Sequence, residues 1–294
     1  MLAASLLACE GKKSTVDEPS EYTVVCTTTM IYDAARSIAP NGVRVLPLMK
    51  AGVDPHYFKP TLDDLKLLRS ADMILYNGLE LEGKMADILQ KLENEKVVKA
   101  IAEGFPDSVY IRNGIAVDPH VWFDPQVWKI SVQNVGLALN NSLKEQQVEI
   151  QEATEAYLNA IDSLDGWTKG QISSLPADRR VLFTSHDAFG YFGRAYDFDV
   201  RGLQGITTTA EFGLRDVSEM VSSIVDMQIP AVFAEQSIPP KYIEAVVEGC
   251  RQKGFEIKVG GTLFSDSLGE EGTEEDTYVG TVRYNVSTIV NALR

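Results

Sequence analysis

Three histidines occur in this 294-residue sequence, His56, His120 and His186, and each lies in a segment able to aim it. Two share a tetrapeptide, Val53-Asp54-Pro55-His56 and Val117-Asp118-Pro119-His120, with aromatics close behind at Tyr57-Phe58 and Trp122-Phe123. Proline fixes its own φ and drives the preceding aspartate into extended geometry, so each tetrapeptide reads as a stiff turn presenting an imidazole. The third lies in Thr184-Ser185-His186-Asp187-Ala188-Phe189-Gly190, a strand-to-helix turn. Neutral imidazole is the commonest side-chain ligand for zinc and related metals. One histidine alone is more often an ordinary polar residue than a ligand. Three at strand ends, with no fourth anywhere in the chain, point to one bound ion.

A carboxylate would complete such a set. Asp266, in Leu263-Phe264-Ser265-Asp266-Ser267-Leu268-Gly269, stands beside rivals at Glu270-Glu271 and Asp276, and spacing alone does not choose among them. A catalytic zinc needs an open coordination position and a nearby base, as in HExxH. The sequence holds no HExxH or HxH, no GxSxG elbow, no Walker loop and no GxGxxG. Ligands gathered from widely separated loops suit capture of an ion better than chemistry upon it.

The elements that must place these loops are legible. Short β-rich runs alternate with helical ones: strands over Tyr22–Thr27, Val43–Leu48, Asp72–Asn77 and Val97–Ile101, helices over Met30–Ile38, Thr61–Ser70 and Leu81–Leu92. Such βα alternation predicts a parallel sheet flanked by helices. Between Pro125 and about Ser174 the pattern is helical only, then alternation resumes from Arg180, with a last strand at Glu256–Val259 and a last helix at Tyr278–Leu293. The reading is an α/β chain of two lobes, 22–145 and 177–294, each a mainly parallel sheet with flanking helices, joined by one long rigid helix over 146–176. Ligands of such proteins sit at strand carboxyl ends or in the crevice between lobes.

A net charge of −15 argues against nucleic-acid binding, which needs a basic surface, and is permissive for a divalent cation. No run of eighteen apolar residues spans a membrane. The start, Met1 to Cys9, is apolar and closes on Leu6-Leu7-Ala8-Cys9, followed by a polar stretch to Ser20. It looks like the end of a bacterial lipoprotein signal, with 1–21 as signal remnant and tether and Cys9 as the lipidated residue. Cys26 and Cys250 read as two core thiols; a disulfide between them would need a geometry that sequence does not supply.

Several segments together carry a family resemblance: GVDPHYF at Gly52–Phe58, ADMILYNGLELE at Ala71–Glu82, DPHVWFD at Asp118–Asp124, SHDAFGYFGRAYDF at Ser185–Phe198, GLQGITT at Gly202–Thr208, and LFSDSLGEEGT with TYVG within Leu263–Gly280. The chain resembles the metal-binding receptors of bacterial ABC importers for zinc and manganese, of the TroA type. The resemblance implies two lobes on a rigid backbone helix and a metal site of His56, His120, His186 and Asp266, the last chosen by its LFSD motif. It also implies supporting carboxylates at Asp54 and Glu235. In this family manganese receptors tend to carry a carboxylate where this chain has His186, so the donor set favours Zn²⁺, with Mn²⁺ as the alternative cargo. Many zinc receptors carry a His-rich loop in the first lobe; none occurs here between Leu81 and Asp118.

The function implied is capture of the ion by a monomeric receptor in the periplasm or at the cell surface, tethered as a lipoprotein. Delivery is to a cognate permease in the cytoplasmic membrane, without catalysis. The rival readings are a metal-dependent hydrolase and a surface adhesin. Since the imidazoles must be neutral to bind, affinity is expected to fall below about pH 6.5, their ordinary value.

Overall fold

A computed structural model describes residues 21–294; Cys9 and the stretch from Met1 to Ser20 lie outside the described residues. Among the described residues no helix is long and apolar enough to cross a membrane.

Four strands, β1 (Tyr22–Cys26), β2 (Val43–Pro47), β3 (Met73–Tyr76) and β4 (Val97–Ala100), form a parallel sheet in the order β2-β1-β3-β4. Val24, Val25 and Cys26 are all buried, as expected for a parallel strand covered on both faces. The covering helices are α1 (Thr29–Ile38), α2 (Leu62–Ser70) and α3 (Ala86–Leu92). Thr61 caps α2 through a reciprocal pair with Asp64, its hydroxyl accepting from the Asp64 amide while the Asp64 carboxylate accepts from the Thr61 amide.

A hairpin of two-residue strands, β5 (Arg112–Asn113) and β6 (Ala116–Val117), follows. Neither was expected: both are too short and too exposed to show alternation. Two helices come next, α4 (Pro125–Ser142) and α5 (Gln147–Ile172). Asp124 starts α4 by accepting from the Gln126 amide, with proline at the first helical position. At 26 residues, α5 is about 39 Å long and is the long helix foreseen for 146–176. It buries Ile150, Leu158, Ile161, Leu164 and Ile172.

The second half brings β7 (Val181–His186), α6 (Gly190–Tyr196), β8 (Asp199–Gln204), α7 (Leu214–Met227), β9 (Ala231–Glu235), α8 (Lys241–Gln252), β10 (Lys258–Leu263) and α9 (Tyr278–Leu293). The strands pair in parallel as β7 with β8 and β9 with β10, and β7 runs beside β9. The last strand runs to Leu263, four residues beyond the expected end. Gly260 and Gly261 hide it, because they offer no side chain to a hydrophobic pattern. Their absence of Cβ has a cause: α9 packs straight onto them. A Cβ on Gly260 would stand 2.7 Å from the Ala292 methyl, and one on Gly261 2.4 Å from Thr288 Cγ2. Cys26 and Cys250 are buried, free thiols.

One hydrophobic core runs continuously from the first sheet through α4 and α5 to the last strands and α9. Buried Asp33 of α1 ties three helices together. Its Oδ2 accepts from Tyr157 Oη of α5 at 2.6 Å and from the Tyr278 amide of α9 at 3.0 Å. Its Oδ1 pairs with Arg36 at 3.0 Å. Ile161, fully buried on α5, sits within this common core. Ile161→Ala is expected to lower unfolding free energy by about 2–5 kcal/mol in chemical denaturation, the range for truncating a packed core aliphatic. A loss below about 0.5 kcal/mol, the size of an ordinary surface change, would show that α5 is not integral to the core.

Candidate metal centre

The four expected ligands arrive from four different loops. His56 follows Gly52, whose φ of +76° turns the chain after β2. His120 comes after the β5–β6 hairpin and opens a single helical turn over Val121–Phe123. His186 is the last residue of β7, and Asp266 lies three residues past the end of β10. The lengthened β10 is therefore what delivers the carboxylate. All four are buried, and one ligand atom from each falls within 4.8 Å of every other.

His56 Nε2 and His120 Nε2 are 3.3 Å apart; Asp266 Oδ1 is 3.4 Å from His120 Nε2, and Oδ2 is 3.4 Å from His186 Nε2. Those separations exceed a normal charge-assisted hydrogen bond of about 2.7–2.9 Å. His186 Nε2 and both Asp266 oxygens are buried with no hydrogen-bond partner, which is costly for polar atoms unless something else satisfies them. Two donors each about 2.0–2.1 Å from one tetrahedral ion stand about 3.3–3.4 Å apart. The spacing thus fits donors sharing a zinc-sized ion better than donors bonding each other.

Two of the histidines are oriented from behind. Asp118 Oδ1 accepts from His120 Nδ1 at 2.7 Å and from the His120 amide at 2.9 Å. Glu235, the last residue of β9, accepts from His186 Nδ1 with Oε2 at 2.5 Å and from the His186 amide with Oε1 at 2.8 Å. A carboxylate on Nδ1 fixes the ring and turns Nε2 toward the centre. Glu235 was expected in this role. Asp118 was not, although the repeated Val-Asp-Pro-His held the signal, since it puts an aspartate two residues before each of two histidines. Asp54 differs from both. Its Oδ1 accepts from the His56 amide at 2.8 Å and its Oδ2 from Thr208 Oγ1 at 2.7 Å, so it holds the loop without touching the ring. The rivals fall elsewhere: Glu270 and Glu271 are exposed, and Asp276 pairs with Arg36.

The electrostatics separate the histidines. Burial, reinforced by the neighbouring imidazoles, pulls His56 down to about 3 against the pull of Asp266. Burial also acts to lower His120, but Asp118 and Asp266 outweigh it and raise the ring to about 9. His186 likewise rises well above the ordinary range, with Glu235 and Asp266 overcoming burial. Asp266 is held well below the carboxylate range despite burial, by His186 and His120.

Over residues 24–292 the chain matches the family described as zinc-uptake complex component A, periplasmic (ZnuA). The chain belongs to this family. It is 41% identical over 99% of its length, and 95% of the other's, to the manganese-binding lipoprotein MntA of Bacillus subtilis. It is 45% identical to the zinc-binding protein TroA of Treponema pallidum, across 92% of this chain and 88% of that one. The structure of the periplasmic zinc-binding protein TroA superposes with a TM-score of 0.92 at 44% identity, covering 93% of this chain and 99% of that one. The α/β architecture, parallel strands flanked by helices with one long helix, is thus that of the family.

In the metal-free protein, an NMR titration of the imidazoles should place the midpoint of His120 near 9. The same titration should find His56 neutral across the window from about pH 5 to pH 8 in which an ordinary histidine changes charge. Three midpoints clustered near the ordinary value of about 6.5 would contradict this arrangement of charges.

Proposed function

We propose that the chain captures one divalent transition-metal ion outside the cytoplasm, between lobes 22–145 and 177–294 carried on a backbone helix, and hands it to a cognate ABC permease. The carrying observation is the convergence of His56, His120, His186 and Asp266, with three buried ligand atoms left unpaired. Family membership and the names of the relatives, a manganese-binding lipoprotein and a zinc-binding protein, support the same reading. Four protein donors account for the positions of a tetrahedral site, so the role assigned is binding and delivery, with no catalytic step.

Zinc is the cargo the donors favour, because three nitrogens and one carboxylate rank Zn²⁺ above Mn²⁺ in intrinsic affinity. Mn²⁺ is the competitor that the relatives name. Tethering through a lipid on Cys9 is the reading supported by the lipoproteins among the relatives and by the Leu-Leu-Ala-Cys stretch. The receptor is read as a monomer.

Elemental analysis of purified protein is expected to find about one ion per chain, and Zn²⁺ should displace Mn²⁺ in competition. His186→Ala and Asp266→Ala should each lose the stoichiometric ion. Asp118→Asn and Glu235→Gln should keep it with affinity weakened by about 10–100-fold, the effect of losing an orienting partner. Because the proton held by His120 must leave before the metal binds, affinity should climb with pH up to about 9. That moves the onset of proton competition well above the ordinary histidine value. Wild-type protein carrying no metal, or an affinity flat from about pH 6 to pH 9, would refute the assignment.

A further inference from the structure

The three histidines are not held alike. His120 and His186 each have a carboxylate on Nδ1, while among the described residues no side chain bonds Nδ1 of His56. His56 is fixed through its backbone amide, by Asp54 alone. It is also the one ligand that faces open space. A cavity of about 780 Å³ is lined by His56, by Gly78 and Glu80 beyond β3, and by Ile206, Thr207 and Thr209 beyond β8; His120, His186 and Asp266 do not line it. Five carboxylates, those of Glu80, Glu82, Asp87, Glu93 and Glu103, share the cavity wall with one cation, Lys84, which favours a positive visitor.

The segment 205–213 forms the second wall. It parts this cavity from another of about 510 Å³, lined by Asp54, Tyr57, Thr208 and Phe212. Within its own half the segment is anchored by Gln204, whose Nε2 donates to the Thr208 and Ala210 carbonyls at 3.3 and 3.2 Å. Among the described residues its one hydrogen bond to the His56 loop is Thr208 Oγ1 to Asp54 Oδ2, at 2.7 Å. That bond is partly buried, and the same carboxylate holds the His56 amide. One side chain therefore joins the strap over the cavity to the ligand that faces it.

We propose that the ion enters and leaves past His56, and that Thr208 acts through Asp54 as a positioning residue setting the rate of that exchange. This rests on the metal-capture reading above. With the Thr208 hydroxyl in place, the Asp54 carboxylate is locked and the His56 loop stays over the ion. Without it, Asp54 keeps the His56 amide but loses its anchor on the strap, and the ligand with no support on its ring swings out first. His120 and His186 keep the carboxylates on their rings, and the loop bearing Asp266 keeps its backbone bond to Trp122, so the centre persists while its exit widens.

The test is stopped-flow release of Zn²⁺ into excess chelator from wild-type, Thr208→Val and Thr208→Ser proteins. Thr208→Val preserves shape without the hydroxyl and should release zinc on the order of tenfold faster, the worth of a hydrogen bond to a charged acceptor. Thr208→Ser restores the donor and should release within about twofold of wild type. Co²⁺ loaded into Thr208→Val should keep the wild-type absorption spectrum, and the metal-free variant should melt with wild type, which a purely structural defect would not allow. Equal release by Thr208→Val and wild type, both fully loaded, would overturn the clasp while leaving capture intact. So would fast release by Thr208→Ser. Failure of the wild-type protein to load zinc at all would overturn both.

Discussion

A fully buried carboxylate must have positive charge beside it, and Asp266 is the residue on which that demand falls. Its oxygens face His120 and His186, and their pull outweighs the burial that would otherwise keep the acid neutral. The demand then passes outward. Asp118 and Glu235 hold the outer nitrogens, so each imidazole is gripped between two carboxylates. The cluster carries more acid than base unless the imidazoles are charged or a cation sits among them. Metal affinity is thus what remains when buried carboxylates are supplied with too few fixed cations; among the ligands and their direct partners there is no lysine or arginine.

That charge balance is useful only if the four loops stay in register, and the frame explains why they do. Trp122, two residues beyond His120, donates its indole N–H to the Ser265 carbonyl at 3.0 Å, and the Gly52 amide donates to Ser267 Oγ at 2.8 Å. The Leu268 amide donates to Thr29 Oγ1 at 2.7 Å. The loop bearing Asp266 comes from the second half of the chain but is bonded on three sides to the first. Most partners are backbone groups on short loops, which gives little freedom for the centre to breathe. Below it, Asp33 binds α1, α5 and α9 into one body, so the long helix is part of the core and not a free strut.

Much of this was legible in the sequence because the signals were local. Apolar runs marked β1 and β3, and α9 had the boundaries that its periodicity predicts. The histidines were legible because they were few. What escaped was set by packing between distant segments. The end of β10 was invisible since Gly260 and Gly261 exist to let α9 approach, a requirement written in Ala292 and Thr288 and not beside the glycines. The choice of Asp266 over Glu270 or Asp276 escaped spacing for the same reason: which carboxylate turns inward depends on the bonds of Ser265 and Ser267 to Trp122 and Gly52. Only the family motif carried that information forward.

The repeated Val-Asp-Pro-His shows the limit most clearly, because one tetrapeptide is used in two ways. In both copies the aspartate accepts from the amide of the histidine two residues on, at 2.8 and 2.9 Å, which is the local turn that proline stiffens. Beyond that the copies part. Asp118 turns its second bond onto the His120 ring, where it is fully enclosed and raises the basicity of the imidazole. Asp54 meets Thr208 instead and spends its free oxygen on a segment from the other half of the chain. Local sequence therefore fixes the turn, while tertiary surroundings decide whether its carboxylate strengthens a donor or fastens a loop. A site built from one repeated turn thereby acquires a firm side and a yielding side. An ion that must be held and then given up needs both.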